Sequence, residues 1–140
     1  MRFSQESFYG FAVMIALARH EPGRPAGVEE IASVQDLPRS FVAKILQKLV
    51  RGGLVVSSRG RQRGYTLALP PERITARDVL EVTEGTDFLR RCMFRKQCTG
   101  ESACFLHGLG LSIRADLDAR LKGLTLADLA RDRAAMRLMP

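Results

Sequence analysis

The segment from residue 28 to residue 69 constrains the fold more than any other part of this chain. Within residues 38–51, apolar side chains occupy positions i, i+3, i+4 and i+7 counted from Val42, a spacing that predicts a helix with one buried face. Pro38 suits the first helical position, and Gly52 suits the end of the helix. The opposite face is polar and largely cationic: Arg39, Ser40, Ala43, Lys44, Gln47, Lys48 and Arg51.

Shorter elements flank this helix. Residues 28–34 predict a short helix, and a tight turn at Asp36 joins it to the longer one. On the other side, two strand-like runs, 54–56 and 65–69, enclose a basic tip bracketed by glycines, which predicts a β-hairpin. Two helices, a short turn and a hairpin predict a winged helix-turn-helix over residues 1–72.

Three further helices are predicted from local patterns. Residues 4–19 carry apolar side chains at helical spacing from Phe8 onward. Thr75 and Thr125 are each followed three residues later by an aspartate, the capping-box pattern that marks the start of a helix. The chain is therefore mainly α-helical, with the hairpin as its only β structure.

A long amphipathic helix is predicted near the end of the chain. Its apolar stripe recurs in steps of three or four residues and needs a partner surface, which a two-fold homodimer supplies. We therefore divide the chain into the winged helix-turn-helix domain, residues 1–72, and a second region, residues 73–140. The second region contains the dimerisation helix and the cysteine segment, residues 92–104, which begins and ends with a cysteine. The stripe consists of Leu106, Leu109, Ile113, Leu117 and Leu121.

The net charge of +7 originates in one interval of the sequence. Lys and Arg number 22 against 15 Asp and Glu, yet no acidic residue occurs between Asp36 and Glu72. Seven cations lie in that interval, so the rest of the chain balances at 15 against 15. An acid-free surface of this kind suits a polyanion such as duplex DNA. A helix-turn-helix used only for protein contacts is the alternative.

The predicted recognition helix, residues 38–51, and the hairpin supply the candidate DNA contacts. A helix fits the major groove, where Arg, Lys and Ser can contact base edges, and alternate residues on a hairpin share one face toward a minor groove. The predicted base contacts are Arg39, Ser40 and Lys44. Lys48 and Arg51 are assigned to phosphates, and Arg59, Arg61 and Arg63 to the wing contact.

Three cysteines, the only ones in the chain, are evenly spaced and followed by a histidine: Cys92-x5-Cys98-x5-Cys104-x2-His107. Their neighbours in the sequence are polar and basic residues, which are seldom found in a hydrophobic core. This disfavours the alternative that the cysteines are buried structural residues. Three thiolates and one imidazole can bind zinc, although zinc ligands usually come in closely spaced pairs. An iron-sulfur cluster needs more widely spread ligands, and cationic neighbours offset its negative charge, so the cluster is favoured.

His107 is the predicted fourth ligand, because it lies three residues after Cys104 and so near the same face of a starting helix. Glu6 of the partner subunit is the alternative ligand.

No set of residues in the sequence predicts a catalytic site, and we expect that the protein is not an enzyme. The longest apolar run, residues 11–18, is eight residues, against roughly 20 for a membrane span. We therefore expect a cytoplasmic protein without a membrane partner.

Taken together, these residues resemble the Rrf2 family of winged-helix transcription regulators over nearly the whole chain. The matching motifs are Met1-Arg2-Phe3-Ser4, Glu30-Ile31-Ala32, residues 41–49, Gly53-Leu54-Val55, Arg59-Gly60, Gly64-Tyr65, Ile74-Thr75, Glu84-Gly85 and Thr125-Leu126-Ala127-Asp128-Leu129.

The resemblance implies a homodimer that binds a palindromic DNA operator and senses iron-sulfur status, nitric oxide, iron or redox state through a cluster. We expect the protein to act as a repressor. Cys92, Cys98 and Cys104 match the family's cluster cysteines, and His107 matches the histidine of members that hold a 2Fe-2S cluster. Members with a 4Fe-4S cluster would place a carboxylate at Phe8, which cannot ligate. The resemblance therefore favours 2Fe-2S over 4Fe-4S.

Two positions depart from the family pattern. Gln62 and Arg63 interrupt the usual glycines of the wing, which should alter the operator that is read. Asp36 replaces the usual glycine of the turn, and aspartate tolerates the left-handed backbone region.

Two other functions fit the same residues. A thiol- or zinc-based sensor of the same fold would use the same cysteines without a cluster. A small iron-sulfur electron carrier or cluster-assembly protein would need the cluster but not the cations of the recognition helix and wing. Binding to DNA distinguishes an electron carrier or assembly protein from both kinds of regulator.

Overall fold

The computed structural model describes residues 2–92 and 104–134. Six α-helices and one hairpin are found in these ranges. The helices are α1 (Gln5–Arg19), α2 (Val28–Gln35), α3 (Arg39–Arg51), α4 (Ala76–Glu84), α5 (Phe105–Gly123) and α6 (Leu126–Arg131). The strands are β1 (Val55–Ser58) and β2 (Gly64–Leu67), and a 3-10 turn spans Pro71–Arg73.

Helix α1 lies at the centre of the core. Val13, Met14 and Ile15 are almost completely buried, and α1 contacts α2, α3, α4, α6 and β2. Ser4 caps its N-terminus by accepting from the Ser7 N–H. A helix that is apolar on most sides must be covered on most sides, and neighbours from the same chain provide that cover.

The turn between α2 and α3 confirms the expectation for Asp36. This residue adopts φ 50° and ψ 47°, in the left-handed region, which aspartate tolerates better than most residues. The prediction for Pro38 is wrong by one position, because Pro38 precedes the helix rather than opening it. Its ψ of 129° is extended, and its carbonyl accepts from the N–H groups of Phe41 and Val42.

The hairpin is confirmed, with strand limits that differ from the prediction. Leu54 stays outside β1, because its N–H donates to the Leu49 carbonyl at the end of α3. Strand β1 instead extends to Ser58, which pairs with Gly64. A Cβ atom at Gly64 would lie 2.8 Å from the Ala26 carbonyl oxygen, so glycine permits the close approach that ties the chain before α2 to Tyr65.

The second half of the chain packs on the same core. Both capping boxes are present, at Thr75 and at Thr125. The Ala76 N–H donates to the Leu124 carbonyl, and the Leu126 N–H donates to the Ile74 carbonyl, so the starts of α4 and α6 are joined. The division of the chain at residue 72 stays a prediction. Among the described residues, no helix is both long and apolar enough to cross a bilayer.

Candidate functional site

Most of the predicted DNA contacts are exposed on one side of α3 and on the hairpin. The side chains of Arg39 and Lys44 are 70% and 69% exposed, while Val42 and Leu46 on the opposite side of α3 are fully buried. The amphipathic pattern therefore orients the cations toward solvent. We call the following exposed residues the basic face: Arg39, Ser40, Lys44, Arg51, Arg59, Arg61 and Arg63.

A groove brings part of the basic face together. It has a volume of about 750 Å³ and lies between the start of α2, the start of α3 and the hairpin, with Arg39, Arg59 and Arg63 among its lining residues. Glu29 also lines it, and its carboxylate lies 2.9 Å from the Arg39 guanidinium. Sequence patterns do not single out Glu29, because exposed acidic residues in the first turn of a helix are common.

Lys48 differs from the basic face, although it was predicted to contact phosphates. Its Nζ lies 2.5 Å from Oε2 of Glu6 and 3.3 Å from the Thr83 carbonyl oxygen, and its side chain is only 35% exposed. Lys48 thus joins α3 to α1 and α4. Lys44 lies at the edge of this arrangement, 3.4 Å from Oε1 of Glu6.

The two lysines set the ionisation of Glu6. The hydrogen bond from Lys48, with support from Lys44, lowers the pKa of Glu6 below its ordinary value even though partial burial acts in the opposite direction. In this structure the carboxylate is engaged within its own chain. The alternative in which Glu6 ligates a partner's metal group would require these ion pairs to open.

A polar network ties α1 to the end of α4. The Ser7 hydroxyl, 1% exposed, lies 2.7 Å from the Thr83 hydroxyl and donates to Glu84. The Ser4 N–H donates to the same Glu84 carboxylate at 2.6 Å. Burial raises the pKa of Glu84, but the hydrogen bonds from Ser7 and Ser4 outweigh it and the pKa is lowered. Helix α4 leads directly into the segment that ends at Cys92.

The predicted metal ligands lie only partly in the described ranges. Cys92 is half-buried, and Cys104 is exposed directly before α5. The carbonyl of Cys104 accepts from the His107 N–H at 3.0 Å, so these two residues share the first turn of α5. Cys98 lies outside the described residues. Within residues 2–92 and 104–134 no three His, Cys, Asp or Glu side chains form a metal-binding group, and the four-ligand set stays a prediction.

Arg114 on α5 is a further residue that the sequence patterns do not single out. It is 4% exposed. Its Nε donates to the Gly110 carbonyl at 2.9 Å, and its Nη1 donates to the carbonyls of Leu89, at 3.3 Å, and Arg91, at 2.8 Å. The last residues before Cys92 are therefore fastened to α5. No local signal distinguishes Arg114 from the other arginines of this chain.

The chain is similar to transcriptional regulators over nearly its whole length. The family model Rrf2, described as an iron-dependent transcriptional regulator, matches residues 3–132. An HTH-type transcriptional regulator of Aquifex aeolicus is 31% identical over 132 residues, covering 92% of this chain and 91% of that protein. IscR of Aliivibrio salmonicida, an HTH-type transcriptional regulator, is 26% identical over 132 residues, covering 94% and 79%.

Solved structures show the same relation. CymR, the global cysteine regulator of B. subtilis, has a TM-score of 0.77 at 29% identity, covering 93% of this chain and 96% of its own. IscR of T. potens has a TM-score of 0.75 at 27% identity, covering 100% and 93%. The predicted fold class is confirmed. These relatives are transcriptional regulators, which also confirms that this chain is not an enzyme.

Proposed function

Because the chain belongs to the Rrf2 family of transcriptional regulators, we propose that it is a cytoplasmic, homodimeric repressor whose operator binding is controlled by an iron-sulfur cluster. The proposed ligands are Cys92, Cys98, Cys104 and His107, with 2Fe-2S favoured over 4Fe-4S.

The basic face is the observation that supports operator binding. Arg39 and Lys44 project from the exposed side of α3, and Arg59 and Arg63 from the hairpin line the same groove as Arg39. A helix of this kind fits the major groove, and a basic hairpin fits the neighbouring phosphates or minor groove. The groove thus allows one duplex to contact α3 and the hairpin at once.

The chemistry of the donor set fits a cluster. Three thiolates and an imidazole are accepted ligands of 2Fe-2S centres, and positive charge nearby stabilises the negative thiolates and sulfides. The buried guanidinium of Arg114 lies next to the segment that carries the first ligand. When bound, such a group would supply an iron- and redox-dependent crosslink. The residues themselves would connect the segment before α5 to α5.

Lys48 offers a route from this crosslink to the recognition helix. It bonds at once to Glu6 of α1 and to the Thr83 carbonyl near the end of α4. Movement of the α4 end, which leads to Cys92, would therefore displace the Thr83 carbonyl that accepts from Lys48. Coupling of this kind needs two discrete arrangements that both sites influence, and the ion pairs of Glu6 supply an interaction that can be made or broken.

Thiol-based sensing is the second candidate. Cys104 is exposed, as a reactive thiol must be. The structural relative CymR of B. subtilis is named a cysteine regulator, and the CymR of Staphylococcus aureus has been solved in an oxidized form. In this case oxidation of the cysteines would replace cluster binding, and the same basic face would bind DNA.

The test starts from protein purified without oxygen. Iron, sulfide and zinc are counted, and visible absorption is recorded. Affinity is then measured for duplexes that the protein selects from a random-sequence library, using cluster-loaded protein, metal-free protein and a variant with all three cysteines changed to serine. Bound iron and sulfide with a changed affinity on loading support the proposal. Zinc, or an oxidation-dependent affinity without iron, selects the second candidate. Equal affinity in all forms contradicts both.

A further inference from the structure

Arg114 occupies an unusual position for an arginine. The residue is 4% exposed, and the carbonyl groups of Gly110, Leu89 and Arg91 accept hydrogen bonds from its guanidinium. Nη2 is buried and has no hydrogen-bond partner among the described residues. Arg114 follows His107 by seven residues, two helical turns, so both residues lie near one side of α5.

Glu81 and Asp118 line the same groove as Arg114, but their carboxylates pair with Arg77. Among residues 2–92 and 104–134, no carboxylate pairs with Arg114. Burial of a cation without a counter-ion is strongly unfavourable, and carbonyl groups compensate it only in part. A negative group that balances this charge is therefore expected close to the guanidinium.

Arg77 provides the contrast within the same structure. Arg77 and Arg114 line one groove between α4 and α5, with a volume of about 400 Å³. Arg77 contacts the carboxylates of Asp118, at 2.7 Å, and Glu81. The charge of an arginine that only joins these two helices can therefore be balanced by carboxylates on the same helices. Arg114 instead uses its donors on the backbone of the residues that lead to Cys92.

We propose that Arg114 is a positioning residue for the cysteine segment: it fixes residues 89–91 on α5 and supplies the positive charge that balances the metal-bound thiolates. The second half of this statement rests on the proposed function, whereas the first does not. Lysine at this position would keep the charge but lose the planar set of donors, so the two parts can be separated.

The test uses three full-length variants. Arg114→Gln removes the charge, Arg114→Lys keeps it, and Arg120→Gln is the control, since Arg120 lies on α5 in an exposed ion pair with Asp116. Hydrogen–deuterium exchange of residues 86–92 is measured in metal-free protein, and thermal melts establish that each variant folds. We expect faster exchange in both Arg114 variants and unchanged exchange in Arg120→Gln. Wild-type exchange in Arg114→Gln would overturn the positioning role.

Metal affinity tests the charge. Zinc dissociation constants are measured by chelator competition, because zinc accepts the same ligands as a simpler probe. Loss of a group that supports metal ligands commonly costs about 10- to 100-fold in affinity, which is the loss expected for Arg114→Gln. A smaller loss is expected for Arg114→Lys. Equal losses in the two variants would show that only the donor geometry matters and would overturn the charge role.

Glu101 permits one further control, since it is the one acidic residue between Cys92 and Cys104. If Arg114→Gln weakens zinc binding equally in a Glu101→Gln background, the balancing charge belongs to the thiolates. If Glu101→Gln removes the effect, the carboxylate supplies that charge and the proposal is overturned. If wild-type protein binds neither zinc nor an iron-sulfur cluster, the proposed cluster control fails, and the exchange measurement still decides the positioning role.

Discussion

Lys44 and Lys48 lie one turn apart on α3, yet only Lys44 keeps its ammonium group largely in solvent. Helical spacing alone assigns both residues to one polar face. The difference arises because Glu6, 42 residues earlier in the chain, lies opposite Lys48 once α1 packs on α3. At the scale of residues, charge and helix position were predictable, but the tertiary partner was not.

Replacement of Glu6 by glutamine tests this ion pair. The hydrogen bond from Lys48 lowers the pKa of Glu6 from its ordinary value of 4.5, so the pair stabilises the fold fully above pH 4.5. That contribution is lost as the pH falls through the lowered pKa. We expect Glu6→Gln to cost about 0.2–1 kcal/mol at pH 7, because the pair is partly exposed and screened, and the difference from wild type to vanish in acid. Urea denaturation at several pH values measures it.

Glu29→Gln is the matched control. The side chains of Glu29 and its partner Arg39 are 76% and 70% exposed. The same change at Glu29 should therefore leave the free energy of unfolding unaltered within error. If Glu6→Gln and Glu29→Gln behave alike at every pH, the interaction between Glu6 and Lys48 does not stabilise the protein.

At the scale of elements, α5 presents apolar side chains that the described chain does not cover. Leu109 and Ile113 are 47% and 41% exposed, and Phe105 is 90% exposed. Gly110 and Arg114 mark the buried side of α5. The stripe was predicted from its spacing, and the exposure of Leu106, Leu109 and Ile113 in a single subunit supports the proposed homodimer through burial of this stripe.

A charge on the stripe should prevent self-association. We expect Leu109→Glu to convert a dimer to a monomer, with the dissociation constant raised at least about 100-fold, because a carboxylate would be buried without a partner. Sedimentation equilibrium measures the mass. Ala119→Glu, exposed on another side of α5, should leave association unchanged. A dimer that tolerates Leu109→Glu would place the interface elsewhere.

Element starts were predictable where the signal is local. The capping boxes at Thr75 and Thr125 each depend on residues three apart, and both formed as expected. The pairing of these two helix starts, through an isolated bridge between Thr75 and Thr125, has no local signal. The strand limits shifted for a similar reason, since the end of α3 holds Leu54.

At the scale of the whole molecule, the basic face and α5 belong to different parts of one structure. The basic face could be predicted from the acid-free interval, because this prediction uses only the order of charged residues in the sequence and the amphipathic period of α3. The link between α3 and the end of α4 was not predictable, because Lys48, Glu6 and Thr83 come from three separate elements. Control of DNA binding by the cysteine segment would depend on such long-range interactions.

The salt dependence of DNA binding tests the basic face as a unit. Removal of one cation that neutralises a phosphate should reduce the slope of log affinity against log salt by about 0.9. We expect this reduction for Arg59→Ala, because Arg59 lines the groove with Arg39. Arg120→Ala removes an equally positive, exposed side chain from α5 and should leave the slope unchanged. Fluorescence anisotropy with one duplex at several salt concentrations gives both slopes. Equal slopes for the two variants would show that net charge, rather than the groove between α3 and the hairpin, attracts DNA.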